Sequence, residues 1–262
     1  MCTLVILRRP GTAWPVLLAA NRDEMAERPW APPARHWSDR SEVVAGQDLL
    51  SGGSWLGVND HGVVAAILNR YGSLGPAPGK RSRGELVLEA LDHADAREAA
   101  EALAAIESRA YRSFNAVVAD NQEAFWIRHL GEETEVVFQP LPPGLSMITA
   151  HDRNDPLKSA RQRLYLPLWR AAAVPDPDQD DWRDWERLLA SREELPGEGP
   201  GSAMNVRLPG GFGTLCSSLI ALPDDIAQKP IWRFAPGSPD VTPFKARSRA
   251  RCKRHHRMKG EV

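Results

Sequence analysis

Cysteine is scarce in this chain: 262 residues hold three, Cys2, Cys216 and Cys252. Three is too few for a disulfide scaffold, and no pair has the C-x-x-C spacing of a structural zinc site. Long apolar runs are also missing, since none approaches the about 20 residues a helix needs to span a bilayer. The start, MCTLVILRRPGTAWP, places its arginines after a short apolar run, the reverse of a secretory signal. A reducing cytoplasm is the expected compartment. A basic body is absent as well. The formal net charge is -1, but residues 245–259 carry eight Lys or Arg and no acid, leaving 25 basic and 33 acidic residues over 1–244. An acidic body argues against a nucleic-acid-binding core. At 42% hydrophobic and 26% charged, the chain has enough apolar material for a packed core.

Patterning along the chain alternates between strands and helices. Cys2 to Leu7 and Val16 to Ala20 read as an N-terminal hairpin, broken by Arg-Arg-Pro-Gly and ending in the polar run Asn21-Arg22-Asp23-Glu24. Residues 28–41, with three prolines, read as an irregular loop. Ser54 to Val58 and Val63 to Leu68 flank the turn Asn59-Asp60-His61-Gly62 as a second hairpin. Ser82-Arg83-Gly84-Glu85 has capping-box spacing and predicts a helix over 83–93. Ala99, Leu103, Ile106 and Ala110 predict another over 95–110. Four strands are expected at Phe114 to Ala119, Ala124 to Arg128, Glu135 to Phe138 and Ser146 to Thr149. Leu157, Ala160, Leu164 and Leu168 mark a helix kinked or ended near Pro167. After the acidic linker 174–181, Trp182, Trp185 and Leu189 mark a short helix. Residues 195–201 form a turn, and Leu215 to Leu222 and Ile231 to Phe234 are the final strands. Grouped helices between antiparallel hairpins indicate an α+β layered fold, a single domain over 1–244. The tail 245–262 is expected to be a disordered, solvated arm with at most weak affinity for anionic surfaces.

Cys2 is the most informative residue. Initiator methionine is usually removed before a small residue, which would expose a cysteine bearing a free α-amine. A thiol is a strong nucleophile near neutral pH, and an α-amine with a pKa of about 7.7–8.0 is suited to moving its proton. Taken alone, Cys2 reads better as a small apolar residue in a first strand; the accompanying motifs change that.

Further motifs accompany it. Gly53-Ser54-Trp55-Leu56-Gly57-Val58-Asn59, Gly144-Leu145-Ser146, Gly213-Thr214 with Ser217-Ser218, and Phe234-Ala235-Pro236-Gly237 with Thr242-Pro243-Phe244 occur alongside Met-Cys-Thr, Asn21-Arg22-Asp23-Glu24 and Ser82-Arg83-Gly84-Glu85. In this the chain resembles the NRDE family, also called the transport and Golgi organisation protein 2 family, over roughly residues 2 to 244. The resemblance implies the N-terminal-nucleophile hydrolase fold, a four-layer αββα sandwich of antiparallel sheets. A more distant likeness to the penicillin V acylase and choloylglycine hydrolase group implies catalytic roles for an Arg and an Asp on the second strand, matching Arg22 and Asp23, and an oxyanion-binding Asn, matching Asn69.

Arg22 is then the candidate that lowers the thiol pKa, and Asp23 the acceptor for the α-ammonium; a strand-end turn with solvated charges is the alternative. Strand alternation puts the two on opposite faces, so a turn is expected if both are to reach Cys2. Asn21 shares a face with Asp23 and is a candidate for binding substrate or fixing the turn. Asn69 and Arg70 read equally as turn residues. Arg83 and Trp55 are candidates for the pocket wall, and His151 for a contact or ligand. Two departures from the acylase pattern stand out: Ala150 and His151 replace a second Asn, and Leu215 replaces an Arg. The implied activity is a cysteine amidohydrolase acting on a small linear amide or acyl conjugate. The alternative is a non-catalytic carrier of haem or acyl-lipid ligands. No cofactor and no metal site are expected, because no C-x-x-C-H or other ligand spacing is present.

Overall fold

The computed structural model describes residues 2–131 and 134–246. Its architecture follows from which side each strand residue buries. In β1 (Thr3–Arg8) and β2 (Val16–Met25), Leu4, Ile6, Val16 and Leu18 face one core, while Val5, Leu17 and Ala19 face another. Both faces are apolar, so this sheet needs a cover on each side. Among the described residues it has six strands, in the order β10 (Gly144–Ile148), β1, β2, β11 (Phe212–Leu222), β12 (Ile231–Ala235), β13 (Lys245–Ala246). The second sheet runs in sequence order through β3 (Trp30–Ala34), β4 (Val43–Asp48), β5 (Leu56–Asn59), β6 (Val64–Asn69), β7 (Phe114–Ala119), β8 (Ala124–His129) and β9 (Val137–Pro140). Neighbouring strands in both sheets are antiparallel.

The helices supply the outer covers. Helices α1 (Gly84–Leu91) and α2 (Ala96–Ala104) bury Leu86, Leu91, Ala99 and Leu103 against Ala65, Phe114 and Val118 of the second sheet. Helices α3 (Ala160–Ala171) and α4 (Arg183–Ala190) bury Tyr165, Trp169, Trp185 and Leu189 against Val5, Leu17 and Leu219 of the first. Each such large side chain contributes roughly 1.5–3 kcal/mol of burial. Leu4, Leu18, Leu56, Val64, Val117 and Ile220 fill the space between the sheets. The result is the expected αββα sandwich.

Several local expectations need correction. The Asn21–Glu24 run does not end the second strand: β2 continues to Met25, with Asn21, Arg22 and Asp23 buried. Part of the proline-rich stretch is strand, not loop. Pro32 and Pro33 fall where the β3–β4 register shifts, on a sheet edge, where proline costs no ladder hydrogen bond. The capping box does not form. Arg83 is the N-cap of α1 but its side chain makes no capping bond, and Glu85 instead accepts from Tyr111 Oη at 2.5 Å and pairs with Arg81 at 2.7 Å. Helix α2 starts with Asp95 accepting from the Glu98 amide and stops at Ala104, with one 3-10 turn at Ser108–Ala110 beyond it. On α3 the wrong face was expected inside: Leu157 is exposed and precedes the helix, while Arg161, Gln162, Tyr165, Leu166 and Trp169 are buried and Pro167 lies within it. Of the supposed tail, Lys245 and Ala246 pair with Phe234 and Arg233; the remainder lies outside the described residues.

Two glycines set the geometry beside the site. A Cβ on Gly53 would stand 2.4 Å from the Gly84 carbonyl carbon, and one on Gly84 about 3.0 Å from Ser54 O. Their absence lets the Ser54 amide donate to Gly84 O at 2.9 Å. The Gly-Ser-Trp and Arg-Gly-Glu motifs therefore interlock, seating the start of α1 on the loop before β5.

Candidate active site

The site is built on the polar half of β2. Each of its residues is held from a different part of the chain. Asn21 Nδ2 donates to Leu189 O (2.9 Å) and Met204 O (3.0 Å), and its Oδ1 accepts from Ser217 Oγ (2.5 Å). Arg22 points toward the second sheet, where its guanidinium lies 4.2 Å over the Trp55 ring and 3.3 Å from Asp48. Asp23 points the other way: Oδ1 accepts from Thr214 Oγ1 (2.7 Å) and Oδ2 from Arg161 Nη1 (3.1 Å). Opposite these residues, β11 carries a bulge at Leu215, between Thr214 facing Asp23 and Cys216 facing Arg22.

Cys2 precedes β1, and Thr3 pairs with Asn21, so the thiol lies along the backbone of Asp23. Sγ accepts from the Asp23 amide at 3.4 Å and lies 3.5 Å from its carbonyl oxygen. No turn is needed to bring Arg22 and Asp23 to it, because all three line one cleft of about 510 Å³ while β2 stays extended. Burial, reinforced by the Asp23 charge, pushes the Cys2 pKa above the usual thiol value; the Asp23 amide and Arg22 pull in the opposite direction but are outweighed. Arg22 thus acts in the expected sense without controlling the outcome, since Asp48 shares its charge.

The other sequence candidates divide. Asn69, at the end of β6, lines the cleft, and its carboxamide makes no protein hydrogen bond among the described residues. Trp55 and Arg83 line it too. Arg83 Nη1 donates to Ser73 Oγ and Ser113 O, both at 2.9 Å. Three expectations fail. Asn21 uses its whole carboxamide to tie β2 to β11 and to backbone near α4, so it is not a substrate contact. Arg70, next to Asn69 but facing away from the cleft, bonds Asn115 (2.6 Å) and Asp152 (2.7 Å). His151 stacks on Tyr71 with ring centroids 5.7 Å apart and is not a cleft residue. Neither departure from the acylase pattern touches the cleft: Ala150 is buried, and Leu215 lines a separate groove with Arg192 and Val206.

Arg161 and Thr214 were missed. Arg161 is 4% exposed and also donates to Thr3 Oγ1 (2.6 Å) and Gly201 O (3.1 Å), joining α3 to the start of β1 and to Asp23. The sequence does carry a signal for Arg161: it recurs with Tyr165 and Trp169 at i, i+4, i+8, a heavier stripe than Leu157, Leu164 and Leu168. Asp48, Lys80 and Arg112 also line the cleft without having been singled out.

A family model described as Transport and Golgi organisation 2 matches residues 1–225. This chain belongs to the Transport and Golgi organisation 2 family. It is 32% identical over 142 residues to the mouse (Mus musculus) Transport and Golgi organization 2 homolog, covering 51% of each chain. It is 33% identical over 173 residues to the human (Homo sapiens) homolog, covering 62% of this chain and 61% of that one. The chain spans about half the length of the curated relatives it matches. Among solved structures it is similar to a Caenorhabditis elegans N-acylethanolamine-hydrolyzing acid amidase ortholog (TM-score 0.59, 13% identity, 86% of this chain and 94% of that one). It is also similar to penicillin V acylase from Agrobacterium tumefaciens (TM-score 0.50, 15% identity, 90% and 83%). At such identities the likeness concerns the fold, which is that of the N-terminal-nucleophile acylases. Among the described residues no helix is long and apolar enough to cross a membrane.

Proposed function

We propose that this protein is a cysteine amidohydrolase of the N-terminal-nucleophile type, acting on a small linear amide or acyl conjugate. The observation that carries the reading is the Cys2 thiol, held on the Asp23 amide in a cleft that also contains the carboxamide of Asn69, without a hydrogen bond among the described residues. Removal of Met1, which lies outside the described residues, exposes the α-amine of Cys2. Burial and Asp23 raise the thiol pKa, so a base is needed to take its proton, and an α-amine, with an ordinary pKa of about 7.7–8.0, is suited to that. Asp23, buried and anchored by Thr214 and Arg161, holds the ammonium formed. Sγ attacks the amide carbon, and Asn69 Nδ2 donates to the developing oxyanion. The ammonium returns its proton to the leaving amine, and water hydrolyses the thioester.

A carrier reading has less in its favour. Cys2 is the one His, Cys, Met or Tyr among the described cleft residues, so a haem there would need the same thiol as its axial ligand. Intact-mass measurement before and after an acylating amide or thiol probe tests the enzyme reading. The expected result is a chain lacking Met1 that gains one adduct at Cys2, with turnover abolished in Cys2→Ala and slowed by orders of magnitude in Cys2→Ser. A retained Met1, or labelling at Cys216 before Cys2, would sink it.

A further inference from the structure

The cleft is unevenly charged. Among its described lining residues Arg22, Arg28, Lys80, Arg81, Arg83 and Arg112 stand against three carboxylates, Asp23, Glu24 and Asp48. Most of these charges are accounted for. Arg22 and Arg28 share Asp48, Arg81 pairs with Glu85, and Asp23 is taken by Arg161. Two guanidiniums remain without a carboxylate among the described residues. Arg83 donates through Nη1 to Ser73 Oγ and Ser113 O, and its Nε and Nη2 meet no acceptor among the described residues. Arg112 donates to the neutral carbonyls of Gly72, Leu74 and Gly75, which fixes the loop after β6 but leaves its charge uncompensated.

The two sit close enough to disfavour one another. Burial, then the charge of Arg112, lowers the Arg83 pKa to about 10, while Cys2 and Glu24 act in the opposite direction. A half-buried cation placed beside another cation, with no carboxylate in ion-pair contact among the described residues, is costly for folding alone. A guanidinium with a free edge binds an oxyanion through paired charge-assisted hydrogen bonds.

We infer that Arg83 and Arg112 form an oxyanion subsite in the Cys2 cleft, and that the conjugate bound there carries a carboxylate, sulfonate or phosphate. This rests on the amidohydrolase reading for the site's purpose, but its test does not require turnover. The full-length Cys2→Ala protein is titrated by calorimetry with N-lauroylglycine, N-lauroyltaurine, N-lauroyl phosphoethanolamine and the uncharged N-lauroylethanolamine, all of one acyl length. The anionic ligands are expected to bind at least tenfold tighter than the neutral one. That preference should shrink at high salt, vanish in the additional Arg83→Gln variant and return in part with Arg83→Lys. Preference for the dianionic ligand assigns phosphate, and equal affinity among the anions assigns a site for any single charge. Equal affinity for charged and neutral ligands, no binding of any of them, or an undiminished preference in Arg83→Gln would overturn the inference. If the preference holds but the wild type hydrolyses nothing, the subsite stands and the enzyme reading fails. Hydrolysis of the neutral amide without any anion preference gives the reverse.

Discussion

Replacing Asp23 by Asn should cost the fold about 3 kcal/mol, and the reason is a buried ion pair. Asp23 Oδ2 lies 3.1 Å from Arg161 Nη1, and the two side chains are 0% and 5% exposed. Breaking one side of such a pair costs about 3–5 kcal/mol, because the other charge stays desolvated. Asn belongs at the low end of that range. It keeps an oxygen for Thr214 Oγ1, and Arg161 keeps Thr3 Oγ1 and Gly201 O. Arg161→Met belongs higher, since Thr3 and Gly201 lose their donor as well. At roughly 2–4 °C per kcal/mol for a chain of this size, Asp23→Asn should melt about 6–12 °C below wild type. The double variant should lose less than the sum of the two, because the pair is removed whole. Thermal melts followed by circular dichroism, at neutral pH and moderate salt, read all four proteins. An Asp23→Asn chain that melts within about 2 °C of wild type, or strict additivity in the cycle, would refute the claim that this pair is structural. The result also matters for catalysis: any rate lost in Asp23→Asn must be measured well below its melting point before it is assigned to the α-amine.

Because its pKa is raised, Cys2 in the native protein should alkylate faster with each step of pH through 9, with no plateau near 8, while buried Cys216 labels only after denaturation; peptide mapping after timed iodoacetamide treatment distinguishes the two. Asp152 tells the opposite pH story. Burial pushes its carboxyl up, but Arg70 and Arg128 more than offset this and hold it below the usual carboxylate range. A depressed pKa contributes stability that is present above the unfolded value of about 3.9 and lost as pH falls through the folded one. Asp152→Asn should therefore cost about 1 kcal/mol in urea melts at pH 7, given its partial exposure, and nothing at the acid end of the range. Arg83→Gln should be at least as stable as wild type at pH 7, because it removes a desolvated charge beside Arg112; a loss above about 1 kcal/mol in the same assay would make Arg83 a structural residue instead.

Much of the architecture was legible because strand alternation and helical periodicity are local. The apolar runs Cys2 to Leu7 and Val16 to Ala20 already give the first hairpin, and Trp182, Trp185 and Leu189 mark the inner face of α4. That Cys2 and Asn69 are candidates was legible from residue type together with family resemblance, and the structure places both on one cleft. What the sequence did not disclose is where a polar residue finds its partner. The run Asn21–Asp23 looks like a strand ending, yet it stays in the sheet because Asp48, Arg161, Thr214, Ser217 and the backbone carbonyls of Leu189 and Met204 satisfy it, 26 to 196 residues away in the chain. The same holds for Arg70 and His151, which share the polarity of site residues but are claimed by Asn115, Asp152 and Tyr71. The sequence by itself determined the order of strands and helices, since apolar burial needs only the right period along one element, and the four-layer arrangement came from the family resemblance. Tertiary structure alone decided which polar groups were left for a substrate, since a buried polar group is stable only when a partner meets it, and that partner is set by the packing of distant elements.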